Sequence, residues 1–317
     1  MNKSKNIFNI LFLDLKSHIC IFSILFILTG CIEPDQLNRK KILIVTTTGM
    51  IGDAVKNIVG DSADVASLMG PGVDPHLYKA SYGDLRKLRN ASIIVYNGLH
   101  LEGKMVDVFK KLSRKKNVIA VSEIIPENHL RKTAEFNGNP DPHIWFNVGL
   151  WRSAIEHMGL QIINADKIHA DFYKNNLQKY LNRLDALDRY AKNEINKIPK
   201  EKRVLITAHD AFGYFGDAYT IEVKGLQGIS TMADFGLNDI SSLVNLITNR
   251  KIKAVFVESS VPRKAIDAVV EGCASQGHIV AIGGTLYSDA MGDPGTKEDN
   301  YIGMVTYNVN AIVKALK

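Results

Sequence analysis

Between Asp166 and Ile198 the chain contains neither Gly nor Pro, and Ile168, Phe172, Leu177, Leu181, Leu184 and Leu187 recur at helical spacing among charged residues. Pro199 ends the run. A helix of about thirty residues runs roughly 45 Å at about 1.5 Å per residue, close to the width of a small protein. Such a rod sits in the middle of a chain only if something packs along much of its length. The residues on either side supply this, because each flank alternates short β-rich runs with helical patterns. The first flank offers strands at Lys41–Thr48, Asp64–Met69, Ser92–Asn97 and Asn117–Ser122. The second offers Arg203–Ala208, Thr220–Gly225, Ile252–Glu258 and His278–Gly283. Helical segments such as Ile51–Val59, Met105–Arg114, Asp239–Arg250 and Arg263–Ser275 lie between them. Alternation of this kind predicts an α/β protein with mostly parallel sheets covered by helices. Four strands per flank predict two lobes, each a four-stranded sheet, joined by one long rigid helix. The expected division is 41–165 for the N-terminal lobe, 166–198 for the linking helix and 199–317 for the C-terminal lobe.

Residues 1–40 read differently. Lys3, Lys5 and Lys16 accompany an apolar run from Ile19 to Leu28 that closes on Leu28-Thr29-Gly30-Cys31. A basic beginning, a short apolar centre and small residues at the end are the anatomy of a secretory signal, and the run is short for a bilayer span. The Leu-Thr-Gly-Cys ending resembles the lipobox of bacterial lipoproteins. That resemblance implies a signal over 1–30, lipidation of Cys31 and a membrane tether over 31–40, with the rest exported and facing the periplasm or the cell exterior. With Cys20 in the signal and Cys31 lipidated, only Cys273 remains, so no disulfide is expected. The formal net charge is +6, and the signal's three Lys and one Asp account for two of those charges. The remaining basic residues sit in short mixed runs without interleaved aromatics, which argues against nucleic acid as a partner.

The chemistry is carried by histidine. Of nine histidines, His18 falls in the signal, His157 and His169 in helical patterns, His129 in a polar loop, and His278 at the opening of a strand. Three have a more telling context. His76 closes the tight Gly70-Pro71-Gly72-Val73-Asp74-Pro75-His76 turn, His143 belongs to a second Asp-Pro-His at Asp141-Pro142-His143, and His209 ends a strand. Ligands of open α/β sheets gather at the carboxyl ends of strands, where His76 and His209 fall, one per flank. The loop Gly283–Asp289 can add an oxygen donor. Three imidazoles and a carboxylate suit Zn²⁺, Mn²⁺ or Fe²⁺.

Read together, Gly72-Val73-Asp74-Pro75-His76, Asp141-Pro142-His143-Ile144-Trp145, Thr207-Ala208-His209-Asp210-Ala211-Phe212, Gly225-Leu226-Gln227-Gly228-Ile229-Ser230 and Ser288-Asp289-Ala290-Met291-Gly292 resemble the recurring segments of one family. This is the cluster A-I, TroA/ZnuA-like family of metal-binding solute-binding lipoproteins of ABC importers, and the treponemal TroA type within it. The likeness extends from about Lys41 to the C-terminus. It implies that His76, His143, His209 and Asp289 are metal ligands and that the cargo passes to an ABC permease. It also implies a monomeric, non-enzymatic protein with no catalytic cofactor. Manganese-specific members often have Glu where this chain has His209. Zinc-specific members often carry a long His-rich loop where this chain has the short Glu127–Pro140 segment. The cargo is therefore open between Zn²⁺, Mn²⁺ and Fe²⁺. Glu258, at a strand end, is a candidate for orienting a ligand histidine, and His100 is left outside the ligand set. Two other functions compete. One is a surface adhesin (cell adhesion), for which no repeat or stalk argues. The other is a zinc-dependent hydrolase, disfavoured because HExxH is absent and a fourth protein ligand would occupy the water position.

Overall fold

Both faces of a parallel sheet must be covered, so its strands read as unbroken apolar runs, and the first half of the chain shows how this is done. The computed structural model describes residues 41–317 apart from 134, 135, 137 and 234, so the expected signal, Cys31 and tether lie outside the described residues. Strands β1 (Ile42–Thr46), β2 (Ala63–Ser67), β3 (Ile93–Tyr96) and β4 (Asn117–Ala120) form one sheet, ordered β2-β1-β3-β4 and parallel throughout. Helices α1 (Gly49–Val59), α2 (Tyr82–Asn90) and α3 (Val106–Leu112) connect them. Alternate residues serve alternate faces. Ile44, Ile93 and Val95 pack with Ile51, Val55 and Ile58 of α1, whereas Val45 and Ile94 pack with Leu88 of α2 and Phe109 of α3.

Helix α4 (Val148–Ala165) leads into the long helix α5 (Ala170–Ile195). The second half then follows as β5 (Val204–His209), α6 (Gly213–Tyr219), β6 (Glu222–Gln227), α7 (Leu237–Asn249), β7 (Ala254–Glu258), α8 (Lys264–Ser275), β8 (Ala281–Leu286) and α9 (Tyr301–Leu316). All eight expected strands are present, within a few residues of their expected limits. The second set is not one continuous hydrogen-bonded sheet, however. β5 pairs with β6 and β7 with β8, each in parallel, and β5 lies beside β7. At that seam a side chain replaces a backbone acceptor, because the His209 N–H donates to Glu258 Oε1 at 2.9 Å. His278, expected to open a strand, precedes β8, and its Nε2 lies 2.7 Å from the Ile252 carbonyl.

α5 has 26 residues and buries Tyr173, Leu177, Tyr180, Leu181, Leu184, Leu187, Ala191 and Ile195. The helix begins later than Asp166 because that carboxylate closes a 3-10 turn instead, bonding His169 Nδ1 at 2.8 Å and the Tyr173 hydroxyl at 2.9 Å. Ile168, in that turn, and Phe172 are consequently exposed, and tyrosines complete the buried stripe. α5 touches α1 and α4 of the first half and α6 and α9 of the second. One carboxylate joins all three parts. Asp53 of α1 accepts from the Tyr180 hydroxyl of α5 and from the Tyr301 N–H of α9, both at 3.2 Å.

Candidate metal centre

Each potential ligand is placed by a different local device. Beyond β2 the backbone turns at Gly72, whose φ of 68° suits glycine, and the chain enters Asp74-Pro75-His76. Asp74 Oδ1 accepts the His76 N–H at 2.8 Å. The second Asp-Pro-His repeats this bond, with Asp141 Oδ1 accepting from the His143 N–H at 2.9 Å. Asn97, at the end of β3, steadies that segment by donating from Nδ2 to the Pro142 carbonyl at 3.0 Å. His209 is the last residue of β5. Asp289 follows β8, next to Ser288, whose carbonyl accepts from Trp145 Nε1 at 3.0 Å. Trp145 also accepts at its own carbonyl from the Tyr301 hydroxyl at 2.6 Å.

The four side chains converge. His76, His143, His209 and Asp289 are all buried, and their donor atoms lie within 4.8 Å of one another. Nε2 of His143 and His209 each stand 3.4 Å from an Asp289 oxygen, and Nε2 of His76 stands 3.9 Å away. Neither Asp289 oxygen accepts a hydrogen bond of good geometry, although both are buried. A buried carboxylate without such bonds is costly unless a cation faces it. The space between these donors suits an ion rather than an organic solute.

A buried carboxylate stands behind two of the histidines. Asp141 Oδ1 lies 2.7 Å from His143 Nδ1, and Glu258 Oε2 lies 2.5 Å from His209 Nδ1. A proton held on His143 Nδ1 by Asp141 leaves Nε2 facing the cluster, whereas His209 Nδ1 and Glu258 Oε2 stand close without hydrogen-bond geometry. Burial alone would lower the His143 pKa, but Asp141 and Asp289 raise it to about 9. His209 is likewise raised well above its ordinary value against the effect of burial, by Glu258 and Asp289. Burial would raise the Asp289 carboxyl, yet His209 and His143 hold it well below the usual range. His76 lacks a comparable carboxylate behind its ring among the described residues, and burial lowers it to about 3.

The remaining histidines lie elsewhere. His100 is exposed at a φ of 62°, and His129 is exposed in a 3-10 turn. Sequence reading gave no role to Arg131, Tyr214 or Thr231, all of which join the two halves around the site. The Tyr214 hydroxyl donates to the Asp141 carbonyl and accepts from the Arg131 N–H, both at 3.0 Å. The Arg131 guanidinium reaches Asp217 of α6 at 2.5 Å and Asp141 at 3.5 Å. Thr231 donates to Asp74 at 2.6 Å. No local sequence pattern marks these partners, which come together only in the folded chain.

Two α/β halves spanned by one long helix, with imidazoles and a carboxylate from both enclosing a space for an ion, define a metal-binding substrate-binding protein. The chain belongs to the ZnuA family, described as zinc-uptake complex component A, periplasmic, whose family model matches residues 44–315. It is 51% identical over 295 residues to the manganese-binding lipoprotein MntA of Bacillus subtilis (strain 168), covering 92% of this chain and 96% of MntA. It is 48% identical over 284 residues to the zinc-binding protein TroA of Treponema pallidum (strain Nichols), covering 89% and 91% respectively. The solved structure of the periplasmic zinc-binding protein TroA from T. pallidum superposes with a TM-score of 0.85 at 47% identity, covering 87% of this chain and 99% of that one. The manganese-binding relative is thus slightly more similar in sequence than the treponemal one.

Proposed function

We propose that this protein captures a divalent transition-metal ion, Zn²⁺ or Mn²⁺ with Fe²⁺ as a further candidate, through His76, His143, His209 and Asp289, and delivers it to the permease of an ABC importer. The observation that carries this reading is the convergence of three buried imidazoles, from both halves, on a buried carboxylate lacking good hydrogen bonds. Two carboxylates support it: Asp141 gives His143 the tautomer a ligand needs, and Glu258 holds the His209 backbone and stands behind its ring. The relatives support it through their names, one a manganese-binding lipoprotein and another a zinc-binding protein. Four protein donors also leave little reason for a catalytic water, so binding is favoured over hydrolysis. We further infer a monomer exported under the leader at 1–30 and held to a membrane by lipid on Cys31. No helix among the described residues is long and apolar enough to cross a membrane.

The test is titration of chelator-stripped protein with Zn²⁺ and Mn²⁺ in metal-free buffer, together with elemental analysis of protein as purified. One ion per chain is expected. Alanine at His76, His143, His209 or Asp289 should each abolish tight binding, and His129→Ala should not. Full-strength binding in the Asp289→Ala protein would remove the site from consideration.

A further inference from the structure

His76 is held differently from the other two imidazoles. His143 Nδ1 is hydrogen-bonded to the buried Asp141 carboxylate, and the buried Glu258 carboxylate stands behind the His209 ring while accepting the His209 N–H. His76 has no such support among the described residues. Its restraint reaches it through the backbone, where Asp74 Oδ1 accepts the His76 N–H at 2.8 Å. The other oxygen of Asp74 faces the second half of the molecule and accepts from the Thr231 hydroxyl at 2.6 Å, a short charge-assisted bond. Thr231 is partly buried. It lies in a turn closed by Ala233 N–H to the Ser230 carbonyl at 2.9 Å. That turn follows β6, whose Gln227 pairs in register with His209. A continuous path of bonds therefore joins His209 to His76 without passing through the metal position. His76, at 3% exposure, is the least buried of the three imidazoles.

We propose that the Thr231–Asp74 hydrogen bond is a latch between the halves that sets how fast a bound metal leaves, with Thr231 as a positioning residue for His76. The proposal rests on the metal-binding reading above. With the bond made, Asp74 is pinned from both sides and His76 stays directed at the ion. Once it breaks, the 70–77 loop loses its tie to the opposite half, and His76 is the ligand free to swing away first. The residues that fix His143 and His209 are untouched by this step, so capture of the ion should change less than its release.

The experiment follows transfer of Zn²⁺ from loaded protein to excess chelator by stopped flow, for wild type, Thr231→Val and Thr231→Ser. Valine keeps the shape and removes the donor, whereas serine keeps the donor. Thr231→Val should release Zn²⁺ at least about tenfold faster, equivalent to about 1.4 kcal/mol. Its association rate should stay at the wild-type value, and Thr231→Ser should release Zn²⁺ at the wild-type rate. Two results would overturn the latch. One is an unchanged release rate in Thr231→Val. The other is equally fast release from Thr231→Ser, which would assign the effect to the lost methyl group. Loading of the wild type is measured first. A wild type that takes up no Zn²⁺ overturns the metal-binding reading and the latch together, while a wild type that loads normally and a variant that releases normally overturn the latch alone.

Discussion

Asp141 bonds the far nitrogen of His143 and Glu258 stands behind His209, and the two carboxylates were unequally legible in the sequence. The histidines stood out because Asp-Pro-His turns and a strand end gave each a recognisable setting. Asp141 was visible in its motif but carried no sign that its carboxylate folds back onto its own histidine's ring, whereas Glu258 was marked as a candidate by its strand end although two helices and a strand separate it from His209. Donor type also bears on selectivity. Three nitrogens and one carboxylate favour Zn²⁺ over Mn²⁺ in the Irving–Williams order, so the wild type should bind Zn²⁺ more tightly whichever ion the cell imports. His209→Glu substitutes a harder oxygen donor and should weaken Zn²⁺ more than Mn²⁺, narrowing the gap. Competition titration of both ions into stripped wild type and variant measures this. A wild type that prefers Mn²⁺ would mean that geometry outweighs donor chemistry.

At the scale of elements, the strands were legible because full burial on both faces leaves continuous apolar runs such as Ile42–Thr46 and Val204–His209. Pairing was less so. β5 and β7 lie side by side without forming one ladder, and where their ends meet the Glu258 carboxylate accepts the His209 N–H, a contact that no periodicity encodes. The start of α5 also shifted, because Asp166 closes a turn rather than opening the helix. Close approach between elements makes a sharper test. A Cβ at Gly225 of β6 would lie 2.4 Å from the Asp210 nitrogen and 2.6 Å from the His209 carbonyl carbon, both backbone atoms that cannot rotate away. Gly225→Ala should therefore displace the end of β5, lower the melting temperature and weaken Zn²⁺ binding by about tenfold or more, about 1.4 kcal/mol or above. Gly103→Ala, where a Cβ meets nothing within 4 Å, is the control and should match wild type in both measurements.

Across the whole molecule, the proposed site draws its donors from both halves, so metal binding there would contribute to folding. An ion at a thousandfold excess over Kd should stabilise the folded protein by about 4 kcal/mol, read as a rise in melting temperature. The pH dependence follows from His143. Its folded pKa of about 9 exceeds the ordinary value near 6.5, so in stripped protein its proton contributes stability that is complete below about 6.5 and lost as pH rises through about 9. A metal must displace that proton, and displacement becomes easier over the same window. The gap in melting temperature between loaded and stripped protein should thus widen from pH 6.5 to 9, and a gap that narrows over that range would contradict the assignment. α5 packs along both halves and Asp53 joins it to each, which favours local loop movement over a wide hinge during exchange. The same compact seam has an optical consequence. The chain has only two tryptophans, and both are buried there, Trp151 beside Tyr301 and Trp145 with its ring centre 5.2 Å from that of His143. Indole emission is therefore a built-in gauge of occupancy, one that needs no attached dye and reads the centre from within.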